Sequence, residues 1–407
     1  MSSPVIVSAV RSPIGRAPQG QLAAVRPDDL LSTVISCALA RTPHLGSADV
    51  NDLIVGCALP GGEQGFNIAR IAAVLLGWDH VPAVTVNRFC TSSLQAVRMA
   101  AQSVRCGDAD VVIAAGVESQ SRLTRGHSDN WPGTHNPVFA AAQQRTVEHL
   151  RGRGEPWTDP RAAGRLPDPY LPVVLAAEHT ARHYGISRAA MDAYAVRSQM
   201  LAEEAWRSGF FRPEVVEIPT GVQDHKCVRD ECVRTGVSAE TLASLPPAAC
   251  PGGLVTAGNS APLSDGAAAV VVMDESAAQA RGITPLARIL ATGVSALTPE
   301  TEGPAPVHSV RMALARARLD LADLDVIAGN EPFAAQMLAF CAELKLDPHR
   351  VNTHGGSIAL GEPYGAAGAR LITTALNTLR QDDATLALVS VVAAGGQGMA
   401  VLLERLS

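Results

Sequence analysis

One cysteine, Cys90, follows a predicted strand and directly precedes a predicted helix, a position that suits a nucleophile. Residues 84–86 read Val-Thr-Val, and β-branched residues favour a strand. Ser92 with Gln95 fits the capping box that opens a helix. The unpaired N–H groups and the positive dipole end of that helix favour a thiolate. The pattern predicts a nucleophilic cysteine that carries an acyl group, although a buried structural thiol fits the same spacing.

The elements that must position Cys90 are those of an α/β protein. Segments with strand and helix periodicity alternate along the chain, as in a sheet covered by helices. The helix after Cys90 runs to Gly107, which can end it. Strands are predicted at residues 5–10, 49–57, 109–115, 268–273 and 386–392, and helices at residues 28–40, 67–76, 178–209 and 368–379.

Length and composition indicate a well-packed soluble protein. The chain has 407 residues, enough for two domains, with 47% hydrophobic and 18% charged residues. A net charge of −6 argues against nucleic acid as the main partner. No apolar run approaches the roughly 18 residues of a membrane span, and the N-terminus lacks a signal-peptide core. The eight dispersed cysteines fit a reducing compartment, so we expect a cytoplasmic protein with no membrane partner.

The sequence around Cys90 is the first of several blocks that resemble one family. Residues 86–97 read VNRFCTSSLQAV, and GVES follows at residues 116–119. Both closely resemble the acyl-accepting segment of the thiolase family, and nearly the whole chain matches that family in order. The resemblance implies an acyl-enzyme formed on Cys90 from an acyl-CoA. It also implies no cofactor other than the coenzyme A thioester substrate, and a homodimer or homotetramer.

The two halves of the chain repeat one plan. A strand ending in Val-Asn, a turn, a helix and a second strand occur at residues 86–113 and again at residues 351–392. The resemblance implies a thiolase fold of class α/β, in which duplicated α/β halves form a five-layered α-β-α-β-α sandwich. The expected domains are residues 1–275, with a loop excursion at about 120–250, and residues 276–407.

Two segments of the first half bear on substrate binding. Residues 120–170 lack a clear period, and Pro, Gly, Arg, His and Trp interrupt them. By resemblance this region covers the substrate and helps to hold coenzyme A, although a solvated loop or a subunit contact is equally compatible with its composition. In residues 254–267 many thiolases have Asn-Ala-Ser, whose serine touches the pantetheine arm. Here the hydroxyl is shifted by one residue, to Ser260.

The second half carries a block similar to the Asn-Glu-Ala-Phe loop of the family, with Asn330 at its start and Phe333 at its end. The resemblance implies that Asn330 holds a water that donates to the thioester oxyanion, a task that suits an amide. Phe333 is expected to contact the substrate. A turn asparagine without catalytic work is the alternative.

Where the family has Gly-His-Pro, this chain has Gly-Glu-Pro, and Glu362 replaces the histidine that activates the nucleophile. A carboxylate can accept the thiol proton if burial raises its pKa towards neutrality. When ionised it cannot donate to an oxyanion. Glu362 is therefore predicted as the base, with a structural partnership to an arginine as the alternative. His354 is a possible substitute imidazole or substrate contact.

The family also places a second cysteine, which moves the α-carbon proton, before a glycine run. Val392 stands at that position and has no proton to move. Backbone N–H groups at Ala394 and Gly395 are still expected to complete an oxyanion hole. No metal is expected, because His225 with its two neighbouring cysteines offers only three ligands at an unusual spacing.

These observations leave three hypotheses. The first is an acyltransferase that passes the acyl group from Cys90 to an acceptor, in a biosynthetic Claisen-type condensation or an acyl transfer, with Glu362 as the base. The second is an ordinary β-ketoacyl-CoA thiolase with an altered acid–base set. The third is a non-catalytic subunit that binds acyl-CoA or acts as a scaffold.

Overall fold

The computed structural model describes residues 2–125, 133–153, 156–221 and 225–407. Most strands belong to a sheet with the order β10-β11-β12-β9-β1-β8-β5-β3-β4, in which β2 pairs with β8. The strands are β1 (Pro4–Arg11), β2 (Gly15–Arg16), β3 (Asp52–Gly56), β4 (Ala83–Val86), β5 (Val111–Ser119), β6 (Ile218–Pro219), β7 (Lys226–Cys227), β8 (Ser264–Asp274), β9 (Ala287–Ala296), β10 (Val326–Gly329), β11 (Leu386–Ala393) and β12 (Gln397–Arg405).

The sheet has two halves that meet at a short junction. In the N-terminal half β3 pairs in parallel with β4 and β5, and β8 lies antiparallel between β5 and β1. In the C-terminal half β10 and β11 are parallel, and β12 lies antiparallel between β11 and β9. The halves join where Val5 and Ile6 of β1 pair with Arg288 and Ala287 of β9. The two predicted sheets are thus continuous through this pairing.

Helices cover both outer faces and fill the space between the two half-sheets. They are α1 (Pro27–Ala40), α2 (Ile68–Leu75), α3 (Ser92–Cys106), α4 (Ala140–Leu150), α5 (Val173–His183), α6 (Arg188–Ser208), α7 (Ala239–Ala243), α8 (Glu275–Ala280), α9 (Ala305–Ala317), α10 (Ala334–Leu344), α11 (Ser357–Leu360) and α12 (Ala367–Gln381). One apolar core lies under α1 and α2, a second encloses α3 and α12, and a third lies under α9 and α10. This is the predicted five-layered α-β-α-β-α sandwich.

The helices of the central layer, α3 from the first half of the chain and α12 from the second, pack closely against each other. Every residue of α12 from Ala367 to Leu379 is buried, as expected for a helix enclosed by protein on all sides. Gly368 lets α12 approach α3 closely, because a Cβ at that position would lie 2.6 Å from the backbone nitrogen of Leu94. The segment that precedes α12 therefore lies near the segment that precedes α3.

Three local predictions differ from the structure. The helix predicted at residues 178–209 is two helices, because the chain turns at Gly185 with a φ of 62° and Ser187 caps α6. Ser92 does not cap α3, since its Oγ accepts a hydrogen bond from the backbone nitrogen of Arg88 instead. The excursion after residue 120 contains the helix α4, and Trp131 of that excursion lies outside the described residues. Across the described ranges, none of the helices has the length and apolar character that a membrane crossing requires.

Candidate active site

Cys90 lies in a tight turn between β4 and α3. Phe89 adopts a left-handed backbone conformation with a φ of 47°, which is unfavourable for a bulky residue. The Asn87 side chain stabilises this turn, since its Oδ1 accepts from the Phe89 nitrogen at 2.8 Å and its Nδ2 donates to the Ala58 carbonyl at 3.0 Å. Thr91 Oγ1 closes the turn by donating to the Arg88 carbonyl at 2.7 Å. A strained conformation held by several bonds is typical of functional positions.

Glu118 fixes the segment that carries Glu362 against the sheet. Its buried carboxylate accepts from the backbone nitrogens of Ala58 and Gly365, each at 2.9 Å. A side chain at Gly116 would collide with the Gly365 carbonyl, so only glycine permits this approach. Residue 362 is thereby held beside the N-terminal end of α3.

Three carboxyl groups act on the Cys90 thiol through their charge. Burial of the sulfur raises its pKa well above the usual value, and the charges of Glu362, Glu302 and Glu118, in that order, raise it further. The helix start favours the thiolate, whereas burial and the three carboxyl groups favour the neutral thiol. Cys90 is therefore a neutral thiol at neutral pH, and it needs a base before it can attack.

Glu362 is 1% exposed and has the properties of that base. Burial raises its pKa, while the positive charge of Arg370, the nearby Ser357 hydroxyl and the Asn330 amide favour its ionised form. Its Oε1 accepts from Asn330 Nδ2 at 2.9 Å, whereas its Oε2 is buried and has no hydrogen-bond partner of good geometry. One oxygen is thus held in place and the other is open to take a proton. Arg370 itself donates to Ser357 Oγ at 2.9 Å.

Asn330 joins Glu362 to strand β11. Besides its bond to Glu362, its Nδ2 donates to the Val392 carbonyl at 2.9 Å, and its Oδ1 accepts from the Val392 nitrogen at 2.8 Å. Both amide hydrogens are therefore used. In this arrangement Asn330 positions the carboxyl of Glu362, and the water expected on the asparagine would have to replace one of these bonds.

The glycine turn between β11 and β12 (residues 394–396) lies against the nucleophile turn (residues 87–91), with Gly395 at the contact and Ala394 just before it. A Cβ at Gly395 would lie 3.7 Å from the Phe89 ring. Arg88 Nη1 donates to Gln397 Oε1 at 3.1 Å, which links the same two turns. The Val392 side chain is buried and, being apolar, supplies no proton.

Two groups near Cys90 escaped the motif analysis. Burial and the neighbouring Cys90, Glu362 and Glu118 raise the pKa of the Tyr364 hydroxyl, which therefore remains an O–H donor at physiological pH. Burial raises the pKa of Glu302 to about 8. Tyr364 lies two residues after Glu362 and could have been found by extending that motif. Glu302 belongs to no motif, and only the fold reveals it.

Ser260 and Phe333 lie next to each other through a short antiparallel bridge. The Ser260 hydroxyl donates to the Thr256 carbonyl at 2.7 Å, which leaves its oxygen able to accept. The Phe333 ring is largely buried with Ala177 and Val255. Phe333 directly precedes α10 and lies three residues after Asn330, and the bridge places Ser260 beside Phe333.

His354 is the exception among the predicted residues. Its ring stacks on Phe210 at a centroid distance of 3.6 Å, and burial lowers its pKa. The charge of Asp382 opposes this lowering of the pKa. Asp382 follows α12, at the opposite end of that helix from Glu362, and the helix of 15 residues is about 22 Å long. The structure thus places His354 in a ring stack with Phe210, near the end of α12 that is remote from Glu362.

A cleft of about 830 Å³ lies beside the glycine turn. Its wall includes Trp157, Arg161 and Thr298, and the adjoining carbonyls of Leu297 and Thr298 pack against Gly396. The cleft therefore borders the turn that contacts the nucleophile. Among the residues with described positions, no group of three or more His, Cys, Asp or Glu side chains could hold a metal ion.

Comparison with known proteins gives one consistent result. The model of the thiolase N-terminal domain matches residues 4–276, and that of the thiolase C-terminal domain matches residues 283–405. A 3-ketoacyl-CoA thiolase of Bacillus subtilis is 37% identical over 417 aligned positions, covering 99% of this chain and 100% of that protein. A 3-ketoacyl-CoA thiolase of Cronobacter sakazakii is 40% identical, with 100% of both chains covered.

A solved structure agrees with these sequences. The acetyl-CoA acetyltransferase of Bacillus anthracis superposes with a TM-score of 0.85 at 32% identity, covering 100% of this chain and 99% of that one. Family models that span both halves, full-length relatives and a shared fold lead to one conclusion: the chain belongs to the thiolase family.

Proposed function

We propose that this thiolase-family acyltransferase cleaves 3-ketoacyl-CoA with coenzyme A as the second substrate. Of the three hypotheses, the altered β-ketoacyl-CoA thiolase has the best support, because full-length relatives carry the name 3-ketoacyl-CoA thiolase. The observation that carries the proposal is the neutral thiol of Cys90 beside the buried carboxyl of Glu362, which has the largest effect of any charge on that thiol.

The first step is acyl transfer to Cys90. Glu362 takes the thiol proton, and the sulfur attacks the 3-keto carbon of the substrate. Asn330 holds one oxygen of Glu362, so the other is the proton acceptor. Negative charge then develops on the keto oxygen, where the Tyr364 hydroxyl and the backbone N–H groups of the glycine turn are the available donors.

Coenzyme A is proposed to occupy the cleft that borders the glycine turn. The cleft has a volume of about 830 Å³, and Arg161 on its wall suits a phosphate. Ser260 is proposed to contact the pantetheine arm, as the family resemblance implies, and Phe333 is proposed to contact the substrate or coenzyme A. We also propose that the two family segments fold as domains of residues 1–275 and 276–407, and that the protein is a cytoplasmic homodimer or homotetramer.

Val392 favours a second candidate, transfer of the acyl group to an oxygen or nitrogen acceptor. Such acceptors need no carbanion, so the missing α-carbon base would do no harm. This candidate predicts that Cys90 is acylated and that acetoacetyl-CoA is not cleaved.

The deciding experiment measures coenzyme A-dependent loss of acetoacetyl-CoA, together with the intact mass of the protein. We expect cleavage by the wild-type protein, loss of cleavage in Cys90→Ala, and unchanged cleavage in Cys106→Ala. Cys106 is the matched control because it is an exposed thiol at the far end of α3. Acylation without cleavage would favour the second candidate, and neither activity would favour a non-catalytic subunit.

A further inference from the structure

Glu302 is a buried carboxyl group that the acylation step does not use. It is 3% exposed and lies between β9 and α9. Its Oε1 accepts from Gln336 Nε2 of α10 at 2.9 Å, and the backbone N–H of Gly396 also favours its charged form. None of the groups that shift its pKa is a cation, so no positive charge explains its burial.

The position of Glu302 connects it with the reacting centre. The glycine turn has Glu302 on one side, at Gly396, and the Phe89 ring of the nucleophile turn on the other, at Gly395. After Glu362, Glu302 has the second largest charge effect on the Cys90 thiol. A small cavity is lined by Gln336, which holds Glu302, and by Val392, where the family has its second cysteine.

We propose that Glu302 is the second acid–base group of this enzyme and carries out the proton transfer at the α-carbon that Val392 cannot perform. The inference rests on the proposed function and deepens it. The carboxyl group of Glu302, in the connection between β9 and α9, would thus take the place of the family's second cysteine, whose position is Val392 in β11. Both positions adjoin the glycine turn.

The proton balance closes with two carboxyl groups. Cys90 gives its proton to Glu362, the sulfur bonds to the 3-keto carbon, and the bond between the α- and β-carbons breaks. Its electron pair stays on the α-carbon of the departing acetyl-CoA, which takes a proton from Glu302. The thiol of incoming coenzyme A then gives its proton to the Glu302 carboxylate and attacks the acyl group. The Cys90 sulfur leaves and recovers its proton from Glu362.

The surroundings of Glu362 and Glu302 suit these two carboxyl groups to different roles, one as a base and the other as an acid. Burial raises the pKa of Glu362, but Arg370, Ser357 and Asn330 oppose that rise and favour the ionised form, which suits a base. Glu302 has only an amide and one backbone N–H, and burial raises its pKa to about 8, so it is mostly protonated at neutral pH and suits an acid. Paired carboxyl groups with different pKa values are a common basis for separate acid and base roles.

The test compares Glu302→Gln with the wild-type protein in two half-reactions. Acylation of Cys90 by p-nitrophenyl acetate, whose leaving group departs without a proton and so needs no acid, should remain within about threefold when followed by intact mass. Cleavage of acetoacetyl-CoA, and exchange of the acetyl-CoA α-protons with D₂O, should each fall by at least about 100-fold, the lower end of general acid–base effects. Glu343→Gln, an exposed carboxyl at the end of α10, is the control and should change neither.

A rescue variant separates proton transfer from folding. Adding Val392→Cys to Glu302→Gln restores a group able to move the proton, and it should recover α-proton exchange by at least about tenfold. Cleavage and exchange at wild-type rates in Glu302→Gln would overturn the inference while leaving the proposed function intact. Equal losses of acylation and cleavage, or no rescue by Val392→Cys, would also overturn it. Absence of Cys90 acylation in the wild-type protein would instead overturn the proposed function.

Discussion

Glutamine at position 362 tests the base directly, because the substitution keeps the shape of the side chain and removes its ability to accept a proton. The Oε1 of the glutamine can still accept from Asn330, as the carboxylate does at 2.9 Å. No cavity forms, so the packing is kept; the buried Arg370 loses the charge of Glu362, and the unfolding temperature of the variant measures that cost. A change in rate therefore reports on proton transfer and not on packing.

The magnitude follows from the state of the nucleophile. Burial of the sulfur and the charge of Glu362 keep Cys90 protonated at neutral pH, so acylation depends on a proton acceptor. General bases typically contribute about 10²–10⁴-fold, and we expect the acylation rate of Glu362→Gln to fall within that range. In free energy this is roughly 3–5 kcal/mol, at 1.36 kcal/mol for each factor of ten.

The assay is single-turnover acylation of Cys90, quenched at intervals and followed by intact mass. The wild-type rate should rise with pH as Glu362 ionises, through a pKa above the usual 4.5, because burial raises that pKa. The rise should be absent in Glu362→Gln, and Glu362→His should recover much of the rate at neutral pH. Acylation of Glu362→Gln within threefold of wild type, with the same pH dependence, would refute the assignment.

Three further predictions concern individual residues. Iodoacetamide should modify Cys90 at least tenfold more slowly than Cys106 at pH 7, because burial keeps Cys90 protonated, as peptide mapping would show. His354→Ala should cleave acetoacetyl-CoA within threefold of wild type but unfold at a lower temperature, because it loses its stack on Phe210; a large loss of cleavage would contradict this placement. Glu302 binds a proton more tightly in the folded state, so its contribution to stability falls as the pH rises from about 4.5 to about 8. Urea unfolding should therefore show that the free energy of unfolding of Glu302→Gln depends less on pH across that window than that of the wild-type protein. The difference should reach several kcal/mol, at roughly 1.4 kcal/mol for each pKa unit.

The sequence predicted what local pattern and family motifs can determine. The turn at Cys90 follows from a β-branched strand and an immediate helix, and the layered fold follows from the alternation of elements and the repeat. Glu362 was found because it stands inside a recognised block. The pairing of β1 with β9 was missed, since it joins Val5 and Ile6 to residues more than 280 positions away.

The remaining features depend on distant groups that meet only after folding. A helix start favours a thiolate, but burial and carboxyl groups from three other segments favour the neutral thiol of Cys90. Glu302 has no local signal, because its role arises from burial beside the glycine turn. His354 looked like a spare imidazole until the fold placed it on Phe210, far along α12 from Glu362.

The central claim is that Cys90 carries the acyl group, and intact-protein mass after incubation with acetoacetyl-CoA tests it most directly. The account predicts that the wild-type protein gains the mass of one acetyl group, that peptide mapping places it on Cys90, and that coenzyme A removes it. Cys90→Ala should gain nothing, while Cys106→Ala should behave as wild type. A wild-type protein that gains no mass, or a gain that persists in Cys90→Ala, would contradict the account.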